Sequence, residues 1–234
     1  MTINFTDAQL TGHCQSSLVT YTDKYQNDKT FQVHQESLDD WQALVAAAKQ
    51  DGIELAIASS YRSFERQLAI WNRKAIDGAN LKNRHNEPLD IKDLSKEQIL
   101  EAILNWSAVP GGSRHHWGCD MDVYCPSMLD KAGLTLQLEP WEYQAGGPMQ
   151  ELGIWLGNNL QRFGFYRPYQ HDLGGVAIEP WHISHQKVSA IAQQQFSLSA
   201  LSQAIDAADI GLKQLIIDNL EHIYKQYVIN TEAP

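Results

Sequence analysis

Apolar positions recur along this chain with two periods, and the change from one to the other marks its elements. Leu38, Trp41, Leu44, Val45 and Ala48 are spaced three and four residues apart, which predicts a helix over 38–49 with one apolar stripe. Gly52, just beyond, suits a left-handed terminator. From Ile53 to Ser59 the pattern shortens to alternation, a strand. Ser63 then stands as an N-cap, with Glu65 in the first turn, for a helix to about Ala75 whose stripe is Phe64, Leu68, Ile70 and Trp71. Residues 77–93 are polar and turn-rich and read as a surface excursion. Ser95 and Gln98 form a capping box that opens another helix, and Pro110-Gly111-Gly112 closes that region. Met121 to Tyr124 alternates as a strand, and Trp155 to Phe163 predicts a helix stopped by Gly164. Segments 188–195, 198–208 and 211–227 complete a helical tail. Its last stripe, Leu212, Leu215, Ile216, Leu220, Ile223 and Tyr227, reads as a face docked on the core.

Helices thus precede and follow a few short strands, without regular strand–helix alternation. That favours an α+β fold with a small, mostly antiparallel sheet and flanking helices. No repeat or Pro/Gly/Ser linker divides the 234 residues, so the expectation is one domain, 1–234, with its chemistry in a core of about 50–190 and a helical tail over 196–230. The net charge of −10 excludes a broad cationic face, and with it a nucleic-acid partner. No apolar run is long enough to span a bilayer, and the tail lacks the basic flanks of a membrane-surface helix. The three cysteines cannot form a fully paired framework. Residues 1–9 show neither the basic start nor the apolar run of a signal peptide, which predicts a cytoplasmic protein; a periplasmic place requires an export route of another kind.

Two stretches carry chemistry. One is Ser113-Arg114-His115-His116-Trp117-Gly118-Cys119-Asp120-Met121-Asp122; the other is Glu179-Pro180-Trp181-His182. A hydrolytic zinc site needs three protein ligands, an open position for water and a base for that water's proton, and these stretches hold those parts. His115 precedes Gly118, which can turn the chain into the strand bearing Asp122. On that strand Asp120, Asp122 and Tyr124 share one face, away from Met121 and Val123. Pro180 keeps Glu179 out of a helix interior, so Glu179 and His182 are presented from extended or irregular chain. A Glu beside a metal ligand suits a general base. Single histidines among nine are weak signals, and His116, Asp120 and His185 are also ligands by type. Spacing does not choose among them; Asp120 ranks as a residue that orients a ligand imidazole.

Ser113-x-His115-x-x-Gly118-x-Asp120-x-Asp122 followed by Glu179-Pro180-Trp181-His182 resembles the zinc D-alanyl-D-alanine carboxypeptidases of the VanY type, related to the LAS peptidases and the hedgehog/DD-peptidase fold. Ser59-Ser60-Tyr61-Arg62-Ser63 with Gln67 matches that family's upstream element, and the similarity covers roughly 50–190. The resemblance implies that His115, Asp122 and His182 hold Zn2+ and that Glu179 is the catalytic base. It implies too that Arg62 contacts the substrate and the oxyanion region, with Gln67 and Ser113 positioning the peptide. Asp120 stands where the family commonly has Ala, and His116-Trp117 replaces a less aromatic pair.

The implied activity is removal of the terminal D-Ala from a muropeptide or peptidoglycan precursor. Two alternatives stay open at this point: an L,D-carboxypeptidase or endopeptidase on related peptides, and a non-catalytic zinc module that binds cell-wall peptides. Glu179 disfavours the last, because a structural zinc site takes a fourth ligand in place of a base and an open position.

Overall fold

In the computed structural model, which describes residues 3–233, one apolar core packs on a four-stranded antiparallel sheet and a second gathers helices beside it. A one-turn helix α1 (Asp7–Leu10) leads into a hairpin of β1 (Leu18–Asp23) and β2 (Lys29–His34), then α2 (Leu38–Gln50), β3 (Ala56–Ser59), α3 (Phe64–Ala75) and α4 (Lys96–Leu104). β4 (Asp120–Tyr124), α5 (Pro126–Ala132), α6 (Pro140–Tyr143), α7 (Gln150–Asn159), β5 (Phe165–Tyr166) and β6 (His182–His185) follow. The tail is α8 (Gln186–Gln195), α9 (Leu198–Ala207), α10 (Lys213–Asp218) and α11 (Leu220–Ile223). Among the described residues, no helix is long and apolar enough to cross a membrane.

Local signals explain most of these bounds. Ser63 accepts from the Arg66 amide, and the Ser95–Gln98 capping box is closed on both sides. Gly52 and Gly164 take the left-handed conformation where helical chain ends. Three expectations need correction. The strand begins at Ala56, not Ile53, although Ile53 and Leu55 are buried. The helix expected over 155–163 begins at Gln150 and becomes a 3-10 turn over Leu160–Phe163, because Gly153 and Gly157 weaken its helical signature. The single helix expected over 211–227 is broken: Leu212 is left-handed, Asn219 interrupts the ladder, and Tyr224–Val228 forms a π-type turn.

The sheet order is β3-β4-β6-β5. Met121, Val123 and Ile183 point into a core with Trp41, Leu44, Leu152 and Phe165, where Trp41 packs edge-on to Phe165. Each such large apolar side chain contributes roughly 1.5–3 kcal/mol when fully buried. The second core joins α3 and α4 to α8, α9 and the remaining tail through Trp71, Ile103, Leu201, Ile205 and Ile216. The tail's apolar stripe is therefore spent on the domain itself. What matters for the site is register: Asp122 lies opposite His182, Asp120 opposite Ser184, and Ser59 opposite Asp122.

Candidate metal centre and its cleft

Strand register alone brings two of the chemistry-bearing side chains together. Directly opposed residues of an antiparallel pair have Cβ atoms about 4.5–5.5 Å apart on one face, so Asp122 and His182 meet across β4 and β6. His115 arrives from a 3-10 turn, Arg114–Trp117, that ends at Gly118 with φ +70°. A side chain at Gly118 would strike Leu18 as well as strain the backbone. One potential ligand atom each from His115, Asp122 and His182 lie within 4.8 Å of one another, and all three residues are buried.

The outer nitrogens of both imidazoles are already occupied. His115 Nδ1 lies 2.8 Å from the Ser60 carbonyl, and His182 Nε2 lies 2.9 Å from Asp120 Oδ2. Donation outward from each leaves a lone pair on His115 Nε2 and His182 Nδ1, facing Asp122 at 3.3 Å in both cases. Asp122 Oδ1 is buried without an aligned hydrogen-bond donor. A buried carboxylate oxygen without a donor is costly, and two inward lone pairs beside it repel one another; a divalent cation relieves both. The donor set therefore fits a metal.

Asp120 sits in a buried network. Arg114 Nε donates to its Oδ2 at 2.7 Å and Ser184 Oγ to its Oδ1 at 2.8 Å, while Arg114 Nη2 reaches Ser184 and Tyr166. The expected orienting role of Asp120 thus has its geometry, and the chain supplies a buried cation to balance it. Burial alone would raise the Asp120 pKa, but Arg114 and His182 outweigh that and hold it below the usual carboxylate range.

Charges within the centre pull in opposite directions. Burial, aided by Arg62, pushes His115 down, which favours a neutral ligand. Burial would also lower His182, yet hydrogen bonds to Asp120, Asp122 and Glu179 carry it well above its ordinary value. Glu179 Oε2 stands 3.2 Å from His182 Nδ1, outside the triad, and burial raises its pKa.

Arg62 enters between β3 and α3 on a turn locked to the 3-10 segment: its amide donates to the His115 carbonyl, and its own carbonyl meets His116 Nδ1 at 2.7 Å. Its guanidinium spans Ser59 Oγ, Gln67 Oε1 and Asp122 Oδ2, each at 3.1 Å. Arg62, Ser113, Glu179 and the triad line one cleft of about 500 Å³. Gln67 does not line it. It is fully buried with its amide spent on Arg62 and the Ala108 carbonyl, so the expectation that it touches substrate gives way to one in which it braces Arg62. His116 and His185 also lie outside the triad: His116 bonds the Arg62 carbonyl and the Gly111 amide, and His185 pairs with Asp40 while capping α8.

Sequence reasoning passed over Tyr169, whose ring meets that of His182 edge-on at 5.0 Å, and over Lys74, Lys82 and Glu139, which also line the cleft. None belongs to a motif or a periodic stripe. The excursion over 77–93 is not idle surface: Leu81–Leu89 folds as a small hairpin, and Lys82 and Asn86 both grip Glu139 across the cleft.

Similarity to other proteins agrees with this geometry. An uncharacterised protein of Haemophilus influenzae is 40% identical over 123 residues, 52% of this chain and 93% of that protein. A D-alanyl-D-alanine carboxypeptidase of Enterococcus faecalis is 29% identical over 152 residues, 64% of this chain; the match spans 46% of that relative's length. The solved structure of the LdcB LD-carboxypeptidase superposes with a TM-score of 0.52 at 23% identity, covering 83% of this chain and 79% of LdcB, and so shares the fold. Residues 30–188, which contain every residue of the centre, match VanY, D-alanyl-D-alanine carboxypeptidase, and by that match the chain belongs to the VanY family.

Proposed function

We propose that this protein is a zinc-dependent D-alanyl-D-alanine carboxypeptidase that hydrolyses the terminal D-Ala peptide bond of peptidoglycan peptides. The observation that carries the reading is the placement of Glu179 beside, and not within, the His115–Asp122–His182 triad, in a cleft that also contains Arg62. Family membership supports it.

His115 Nε2, Asp122 and His182 Nδ1 would hold the metal, which when bound polarises the scissile carbonyl and lowers the pKa of a water to about 7. Glu179 takes that water's proton on its carboxylate and returns it to the departing amine. Its burial suits both halves of this task, because a raised pKa makes the carboxylate a stronger base toward the water and lets the carboxyl keep its proton until the amine departs. Arg62, tethered at three points, presents a fixed cation to the oxygen that gains charge or to the substrate's terminal carboxylate. Ser113 offers a hydroxyl from the same wall.

The test is hydrolysis of a panel of stem peptides by the zinc-loaded protein. Peptides ending in D-Ala-D-Ala should be cleaved, and amidating the terminal carboxylate should cut kcat/KM about tenfold or more, the scale of one charge-assisted hydrogen bond. A terminal L-Ala should be a poor leaving residue. Preferred cleavage after an L-centre, or efficient cleavage of an internal crosslink, would transfer the assignment to an L,D-carboxypeptidase or an endopeptidase. No cleavage of any peptide, with binding retained, would leave a recognition module.

A further inference from the structure

The cleft holds a cation that the hydrolytic chemistry does not use. Lys74 lies on the last turn of α3 and lines the same cavity as the triad. Of the other cleft-lining cations, Arg62 is paired with Asp122, Arg114 with Asp120, and Lys82 with Glu139. Lys74 makes no ion pair among the described residues, and its ammonium is not sealed from solvent. It is half-buried, and burial together with the nearby Lys82 pulls its pKa down, against the opposing charge of Glu179, with which it makes no direct ion pair. An unpaired, partly desolvated ammonium is costly to keep in a cleft, and in a chain of net charge −10 acidic partners are plentiful elsewhere on the surface.

Its position along α3 sets a length. Gln67, which braces Arg62, and Lys74 are seven residues apart on one face of the helix, so at 1.5 Å per residue Lys74 lies about 10 Å further along the axis. An extended peptide advances about 3.3–3.6 Å per residue, so that rise corresponds to about three residues, the C-terminal one included.

From this we propose that Lys74, with Lys82 beside it, forms a second anion subsite that receives a side-chain carboxylate on the residue two positions before the substrate's C-terminus. The proposal rests on the carboxypeptidase reading for the direction of the peptide, with its terminal carboxylate toward Arg62. Lys82 keeps Glu139 as its resident partner and closes the far side of the subsite; Lys74 provides the free charge.

The experiment uses the full chain loaded with zinc and two synthetic peptides that share a D-Ala-D-Ala end. In one, the residue two back from the terminus carries a side-chain carboxylate; in the other, the same residue carries a carboxamide. Wild type should favour the carboxylate peptide about tenfold or more in kcat/KM. Lys74→Met should bring that ratio to about one, and Lys74→Arg should restore most of it. A wild-type ratio near one overturns the proposal. So does a Lys74→Met variant that slows both peptides by the same factor, which would make Lys74 an electrostatic neighbour of Glu179. If wild type hydrolyses neither peptide, the carboxypeptidase reading falls, and the same ratio taken from calorimetric dissociation constants decides the subsite by itself.

Discussion

The two walls of the cleft are built on different principles. One is the sheet face of β4 and β6, where Asp122, His182, Asp120 and Ser184 are placed by strand register and Asp120 is tied by hydrogen bonds of 2.7–2.9 Å. The other is the end of α3, the 81–89 hairpin and the loop around Glu139, where long side chains meet across partly exposed ground. A pleated pair admits one relative placement, because a slip by one residue turns every side chain to the opposite face. A helix end and a hairpin can shift by an ångström and still hold a lysine near its target. Two of the proposed metal ligands stand on the first wall and the proposed anion subsite on the second.

Substitutions should separate the two walls. The largest effect is expected from His182→Ala, which removes a proposed ligand and the partner of Asp120. Zinc per chain, measured by atomic emission, should fall from one to near zero and hydrolysis should vanish with it. Full zinc occupancy in this variant would remove His182 from the ligand set. Glu179→Gln comes next: the metal should stay and kcat should drop about 10²–10⁴-fold, the usual cost of losing a general base. Near-wild-type turnover would sink that role.

Asp120→Ala probes the support behind the first wall. It leaves Arg114 buried without its counter-charge, and breaking such a pair costs about 3–5 kcal/mol, readable in denaturant unfolding. Zinc affinity should weaken about 10–100-fold in chelator competition, since the His182 imidazole loses its outer bond. Replacing both members by Arg114→Met and Asp120→Ala should recover much of the stability but not the affinity. Recovery of both would reduce the network to packing.

The smallest effect lies behind the sheet. His34 is buried next to the Gly118 turn, and burial lowers its pKa from 6.5 to about 4, with His185 adding to the shift and Glu36 opposing it. Its neutral Nδ1 accepts the Glu36 amide at 3.2 Å. A depressed folded pKa means that the unfolded chain binds the extra proton between these values. The contribution is therefore whole above pH 6.5 and is lost as pH falls toward about 4, at up to about 1.4 kcal/mol per pH unit. Denaturant unfolding at pH 7, 5.5 and 4.5 should show the decline, and His34→Gln should flatten it. An equal slope in both proteins would place the acid sensitivity elsewhere.

How much of this was legible in the sequence follows from the same contrast. Ser63, Ser95 with Gln98, Gly52 and Gly164 act on their own few residues, and each marks an element end that the structure keeps. His115, Asp122, Glu179 and His182 were visible as residue types, and the register that joins them needed only two strands and a turn. The β1–β2 hairpin was passed over, although Asn27 and Asp28, both left-handed, are the residues a tight hairpin turn prefers. Lys74, Lys82 and Tyr169 carry no periodic or capping signature. They reach the cleft because of where α3, the excursion and the chain after β5 end up, which is tertiary information. Gln67 shows the reverse: its motif position was plain, but that it faces Arg62 and not the cleft depends on the helix it rides.

The pairing of β4 with β6 joins Asp120 to His182 across 62 residues of chain. During folding, local units such as the β1–β2 hairpin and α2 can close early, whereas this contact must wait for a long loop to find its ends. Once that contact is closed, a cation that arrives meets imidazoles held by Ser60 and Asp120. Closing a loop twice as long costs only about 0.6 kcal/mol more. The exposed stretch over 130–135, between the two strands, can therefore lengthen at little cost, while Leu152 and Phe165 of the same segment stay committed to the core and the atoms that would grip the metal keep their places.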